Sequence, residues 1–249
     1  MQELPDYEEY LMTIGEELKC LGMAVSLSVL AAWILYKHLS GLILCVVIFP
    51  LYRRSYIRER ITERKRELLV QFKDGIQSIV VALLSGYSIE NAWIEAEKEL
   101  CELYGENAYM TKEMHYMNSG IRMNQPIEEM LVRFAERSGC EDIVGFADIF
   151  RFAKRSGGNF AKILQNTVHR IAEKQEVERE IETVLSGKKM EQKIMNVVPV
   201  GLLAYLNLTS KEFLEPLYGN FFGACVMTGA FVAYIGAFLL AHKIVEIKI

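Results

Sequence analysis

The side chains able to do chemistry are few and scattered. His38, His115, His169 and His242 lie far apart in a chain of 249 residues, with no H-E-x-x-H or Cys/His spacing that would gather ligands on a metal. Cys20, Cys45, Cys101, Cys140 and Cys225 include no C-x-x-C pair, and Cys20, Cys45 and Cys225 fall in or at the edge of hydrophobic runs, as reduced buried thiols do. Ser186-Gly187-Lys188-Lys189 imitates the end of a phosphate loop. It lacks the earlier glycine, has lysine where a magnesium-binding hydroxyl belongs, and follows a helical pattern where a strand is needed. Gly157-Gly158 likewise has no strands around it to make a dinucleotide fingerprint. No catalytic group, metal ligand or cofactor is expected.

Composition narrows the class further. Lys and Arg number 28 against 32 Asp and Glu, a net charge of −4, so the chain-wide basic field that nucleic acid requires is absent. Half the residues are hydrophobic (51%), and they concentrate at the two ends while the middle is densely charged. That separation predicts a membrane protein with a large polar insert.

Four uncharged runs carry this expectation: Cys20 to Tyr36, Leu39 to Tyr52, Ile194 to Leu208 and Phe221 to Ala241. About 20 apolar residues span a bilayer, so the fourth suffices alone and the others complete their length as members of hairpins with snorkelling flanks. Arg53, Arg54, Arg58, Arg60, Arg64, Lys65 and Arg66 follow the second run, and Lys188, Lys189 and Lys193 precede the third. The positive-inside rule then places the middle and both termini in the cytoplasm. The acidic start MQELPDYEEY is unlike a secretory leader, so the first run is expected to remain as an anchor. Small residues at four-residue spacing, Ala24, Ser28 and Ala32 in the first run and Gly229, Ala233 and Ala237 in the fourth, mark a candidate helix-packing face.

Between Arg53 and Lys193 the apolar residues recur every three or four positions, as in Leu69, Phe72, Ile76, Ile79, Val80 and Leu83, which predicts six amphipathic helices. Gly86 should end one helix in a left-handed conformation and Ser88 cap the next; Gly157, Gly158 and Asn159 repeat the device. Pro126 is expected in the first turn of a helix that Gly139 closes. The Glu173 to Lys193 stretch, EKQEVEREIETVLSGKKMEQK, reads as a charged helix leading into the third run.

This order of parts, with FKDGIQSIVVALLSGYSIENA from Phe72 to Ala92, PIEEMLVRFAER from Pro126 to Arg137, FAKRSGGNFAKILQNTVHR from Phe152 to Arg170 and Pro199 in the third run, resembles the type II secretion system F domain family. The resemblance is to the TadB/TadC platform proteins of tight-adherence (Flp) pilus assembly, and it runs from about Arg53 to the end of the chain. It implies an inner-membrane platform working with a cytoplasmic secretion ATPase on pilin-like subunits. One copy of the domain implies a homo-oligomer or a paralogous partner.

The expected fold is therefore an all-α membrane protein: a cytoplasmic segment at 1–19, a first transmembrane hairpin at 20–52, a cytoplasmic six-helix bundle at 53–193 and a second hairpin with a short tail at 194–249. The expected function is non-enzymatic, a platform in the inner membrane that couples the ATPase to pilin assembly. Glu178 and Glu182 are the candidate ATPase contacts, the partners being that ATPase, a platform paralogue or second copy, pilin-like subunits and the lipid bilayer, with no nucleic acid. A membrane-anchored signalling or sensory scaffold is the alternative.

Overall fold

A computed structural model describes residues 5–35, 44–156, 159–209 and 221–245. All regular structure among them is helical: α1 (Ile14–Leu35), α2 (Leu44–Leu84), α3 (Ile89–Tyr104), α4 (Tyr109–Arg122), α5 (Ile127–Ser138), α6 (Glu141–Ser156), α7 (Phe160–Thr209) and α8 (Phe221–Val245). The chain divides into two compact units. One comprises residues through Leu11 together with Tyr56–Glu176, the other Met12–Ser55 together with Val177–Ile249. The chain passes between them within α2 and within α7, so the charged stretch beyond Glu176 groups with the second unit.

In the first unit, six helical segments bury one apolar stripe each. From α2 come Leu68, Phe72, Ile76, Ile79 and Val80; from α3, Ala92, Trp93, Ala96 and Leu100; from α4, Met110, Met114 and Met117. From α5 come Met130, Leu131 and Phe134; from α6, Ile143, Phe146 and Phe150; from α7, Leu164, Val168 and Ile171. Each fully buried large side chain contributes about 1.5–3 kcal/mol, which is what holds such short helices together. Aromatic rings meet edge to face at the centre, Phe72 on Phe146 at 5.3 Å and Trp93 on Phe150 at 5.4 Å.

The helix ends follow local chemistry. Gly86 has φ +92°, where a Cβ would be strained, and lets Tyr87 N–H reach back to the Ala82 carbonyl. The Ser88 hydroxyl then accepts from Asn91 N–H at the start of α3, and Asn159 Oδ1 accepts from Lys162 N–H at the start of α7. Gly157 and Gly158 lie outside the described residues. Pro126 stands one position before the first turn of α5, with ψ 126°, and its carbonyl accepts from Glu129 and Met130. Gly139 ends α5 in the left-handed region. Where α4 approaches α5, a Cβ on Gly120 would overlap Met130 Sδ, so any larger residue there must displace the end of the Met130 side chain.

In the second unit, α1 begins six residues ahead of the uncharged run, because Glu16 caps its N-terminus by accepting from Thr13 N–H. Cys20, Ala24 and Ser28 are buried in a line along α1, and the Ser28 hydroxyl returns to the Ala24 carbonyl at 2.7 Å. Pro199 lies inside α7, and the Tyr234 hydroxyl of α8 donates to the nearby Asn196 carbonyl at 2.7 Å.

Among the described residues, no helix is long and apolar enough to cross a membrane. In α7 the reason is visible: Asn196, Pro199, Asn207 and Thr209 interrupt its apolar stretch. In α1, α2 and α8 many apolar residues, Phe221, Phe222, Phe231 and Leu239 among them, have side chains outside the described set.

Candidate functional site

The densest polar constellation of the first unit is one that sequence reading missed. Residues 5–11 form a strap laid on the bundle, and Tyr7 is its anchor at 1% exposure. Backbone and side chain both hold it. Tyr7 N–H donates to the Arg137 carbonyl at 3.1 Å, and its hydroxyl donates to Glu113 Oε1 at 3.1 Å. Glu113 has no exposed surface, and it receives Arg137 Nη1 at 3.0 Å and Nη2 at 2.8 Å. A buried carboxylate is tolerated only with such a partner.

Cations from α2 complete the seat. The Arg64 guanidinium stacks over the Tyr7 ring at 4.9 Å and the Tyr109 ring at 5.6 Å, while its Nη1 donates to the Glu9 carbonyl. Lys65 Nζ reaches Glu8 Oε1 at 3.3 Å and the Gly139 carbonyl at 3.0 Å. Burial, reinforced by the negative charge of Glu113, pushes the Tyr7 hydroxyl far above the ordinary tyrosine range, so it stays protonated. Burial alone would lower the Arg137 pKa, but the Glu113 contact outweighs it and raises it.

Beside the strap lies a cleft of about 1170 Å³, lined by Tyr7, Glu97, Cys101, Lys112, His115 and Tyr116 among others. Of its two carboxylates, Glu97 and Glu106, Glu97 faces His115 Nδ1 at 2.7 Å and accepts from Asn118 Nδ2 at 2.5 Å. Glu113 is paired with Arg137, and Glu97 is hydrogen-bonded to His115 and Asn118. The arrangement anchors and orients chain segments. No cluster of His, Cys, Asp and Glu among the described residues could hold a metal.

The residues singled out from sequence lie elsewhere. Glu178 and Glu182 stand one turn apart on α7 in the second unit, Glu178 half-buried and Glu182 exposed. Of the small-residue stripes, Ala24 and Ser28 are buried within the chain, whereas Gly229, Ala233 and Ala237 on α8 are exposed; the Ala32 side chain lies outside the described set. Gly86, Ser88, Pro126 and Asn159 lie at helix ends, as described above, whereas Pro199 lies inside α7 and marks no turn or cap. Cys20 and Cys140 are buried and unpaired by disulfide, with the Cys140 thiol pushed up by burial, while Cys45 is outside the described side chains.

Sequence missed the strap because its anchor pairs with residues more than 100 positions away. One signal was present: Glu113 occupies the buried register of α4, between Met110 and Met114, where a carboxylate demands a cation. Compared with known proteins, the chain matches no family model, no curated protein and no solved structure.

Proposed function

We propose that this chain is an inner-membrane platform protein of a type II secretion or type IV (Tad/Flp) pilus assembly machine. In this reading the helical bundle receives force from a cytoplasmic secretion ATPase, and the flanking helices carry it into the bilayer, where pilin-like subunits assemble. The protein itself hydrolyses nothing. It works as a homo-oligomer or beside a paralogous platform protein.

The observation that supports this most is the contrast between the two units. The first buries its apolar stripes in one core. The second leaves large apolar side chains in the open along its helices: Leu18, Met23 and Val29 on α1; Val197, Leu202 and Leu208 on α7; Val232 and Leu240 on α8. Large apolar side chains exposed along three helices suit a cover of lipid tails or neighbouring spans. The arginines that follow the second run, Arg53, Arg54 and Arg58, supply the cytoplasmic-side charge that fixes orientation.

The decisive experiment is removal of the gene from its host, with complementation by a tagged copy. Loss of surface pili with retention of prepilin, together with capture of a secretion ATPase on the tagged protein, is the expected result. Normal pili in the deletion strain, or ATP turnover by the purified chain alone, would overturn the proposal.

A further inference from the structure

One face of α7 in the second unit carries a groove of about 660 Å³, lined by Ser186, Lys189, Met190, Lys193, Ile194, Val197 and Val198. These positions fall at the three- and four-residue spacing of a single helix face, and they are graded along it. At one end stand two lysines one turn apart. At the other, Ile194, Val197 and Val198 are 57%, 66% and 59% exposed.

The lysines are the unusual part. Neighbouring Lys188 is paired with Glu191 at 2.9 Å, but among the described residues neither Lys189 nor Lys193 has an ion-pair partner, and the groove lining holds no carboxylate. The Ser186 hydroxyl is committed to the Thr183 carbonyl at 2.7 Å, so polar attraction in the groove comes from the ammonium groups. A ligand that fits must present an anion to two ammonium groups about 6 Å apart along the axis. It must also run an apolar chain along the valines below. A second copy of α7 fits poorly, because parallel pairing sets Lys189 and Lys193 against their own copies, and an antiparallel pairing over the groove sets Lys189 against Val198 and Lys193 against Ile194.

We propose that this groove binds one anionic phospholipid, its phosphate between Lys189 and Lys193 and an acyl chain along Ile194, Val197 and Val198. The inference rests on the membrane reading above and adds a lipid preference to it. Bound lipid fixes the depth at which α7 enters the bilayer, with the lysines level with the headgroups.

The test uses the full chain in neutral detergent, titrated with phosphatidylglycerol or phosphatidylcholine and read as bound lipid by native mass spectrometry. Phosphatidylglycerol should be preferred, and K189Q and K193Q should each weaken its binding about fivefold, leaving phosphatidylcholine and the melting temperature unchanged. Equal binding of the two lipids overturns the lipid site but leaves the membrane reading intact. A chain that stays in the aqueous fraction with vesicles of either lipid overturns both. Glycerophosphoglycerol binding as tightly as the whole lipid would make this a free-anion site, and a dimer lost in K189Q would make it a protein interface; either result overturns the proposal.

Discussion

Glu113 and Arg137 form a bidentate pair in which the carboxylate has no exposed surface, and the Tyr7 hydroxyl completes it from 106 residues upstream of Glu113. Removing the cation strands a buried charge. Arg137→Ala should therefore destabilise the first unit by about 3 kcal/mol, whereas Tyr7→Phe, which keeps the ring, should cost about 1 kcal/mol. Denaturant midpoints of the two variants check the order. Equal losses would mean that the Tyr7 hydroxyl bond contributes as much as the Arg137 cation.

Alkaline titration reads the same network. Tyr7 has a raised pKa when folded, so its stabilisation is complete below about pH 10, where an unfolded tyrosine ionises, and is lost progressively above that. The Tyr104 hydroxyl, hydrogen-bonded to Asp74 at 2.5 Å, is pushed up to about 12. Ultraviolet absorbance should show Tyr7 and Tyr104 ionising late, and the Tyr7 step should be missing in Tyr7→Phe. Tyr7→Phe should also flatten the fall in stability above pH 10.

At acid pH a different pair governs. Burial alone would raise the Glu128 pKa, but its 2.8 Å contact with Lys154 outweighs this and holds the carboxyl below its ordinary value. The stabilisation is present above about pH 4.3, the unfolded value, and disappears as pH falls through the lower folded value. Glu128→Gln should be slightly destabilising at pH 7, by under about 1 kcal/mol since both side chains are partly exposed, and neutral at pH 2. Thermal melts at the two pH values distinguish this from a simple packing defect, which would persist in acid.

Two glycines should fail for different reasons. Around Gly86 there is open space, so Gly86→Ala costs only backbone strain, about 1 kcal/mol. Gly120→Ala drives a methyl onto the buried Met130 side chain and should cost about 1–3 kcal/mol. Met130→Ala should cost less in the Gly120→Ala background than in the parent, whereas its cost should be unchanged by Gly86→Ala.

Two further outcomes bear on the proposed platform. In a cysteine-free background, a cysteine at position 215 should label from outside intact cells while one at Glu106 stays protected. Reversing charge at Glu178 and Glu182 should reduce ATPase capture at low salt, and less so at high salt where the contact is screened, with an unchanged melting curve. Labelling in the opposite sense, or undiminished capture, would refute the respective assignment.

The first unit was largely legible because helical periodicity reports burial directly: Phe72, Ile76, Ile79 and Val80 read as one stripe and are buried as one. The stripe's upper edge slipped by one residue, since Leu68 is fully buried and Leu69 only partly. Capping at Ser88 and Asn159 was legible for the same reason, each depending on residues within one turn. The strap was not. An acidic stretch with two tyrosines has no period, and its meaning depends on Arg137, which sequence proximity cannot supply. The groove on α7 was equally hidden, because Lys189 and Lys193 read as solvated charges until their lack of acidic neighbours was visible.

The strap also sets an order of events in synthesis. Tyr7 leaves the ribosome 130 residues before Arg137, whose carbonyl receives its N–H. At about 5–20 residues per second that interval is on the order of 10 s. Through all of it α5 does not exist and the tyrosine has no seat. The first residues of the unit thus wait for its fifth helix before they can be seated, while α6 and the start of α7 are still to come.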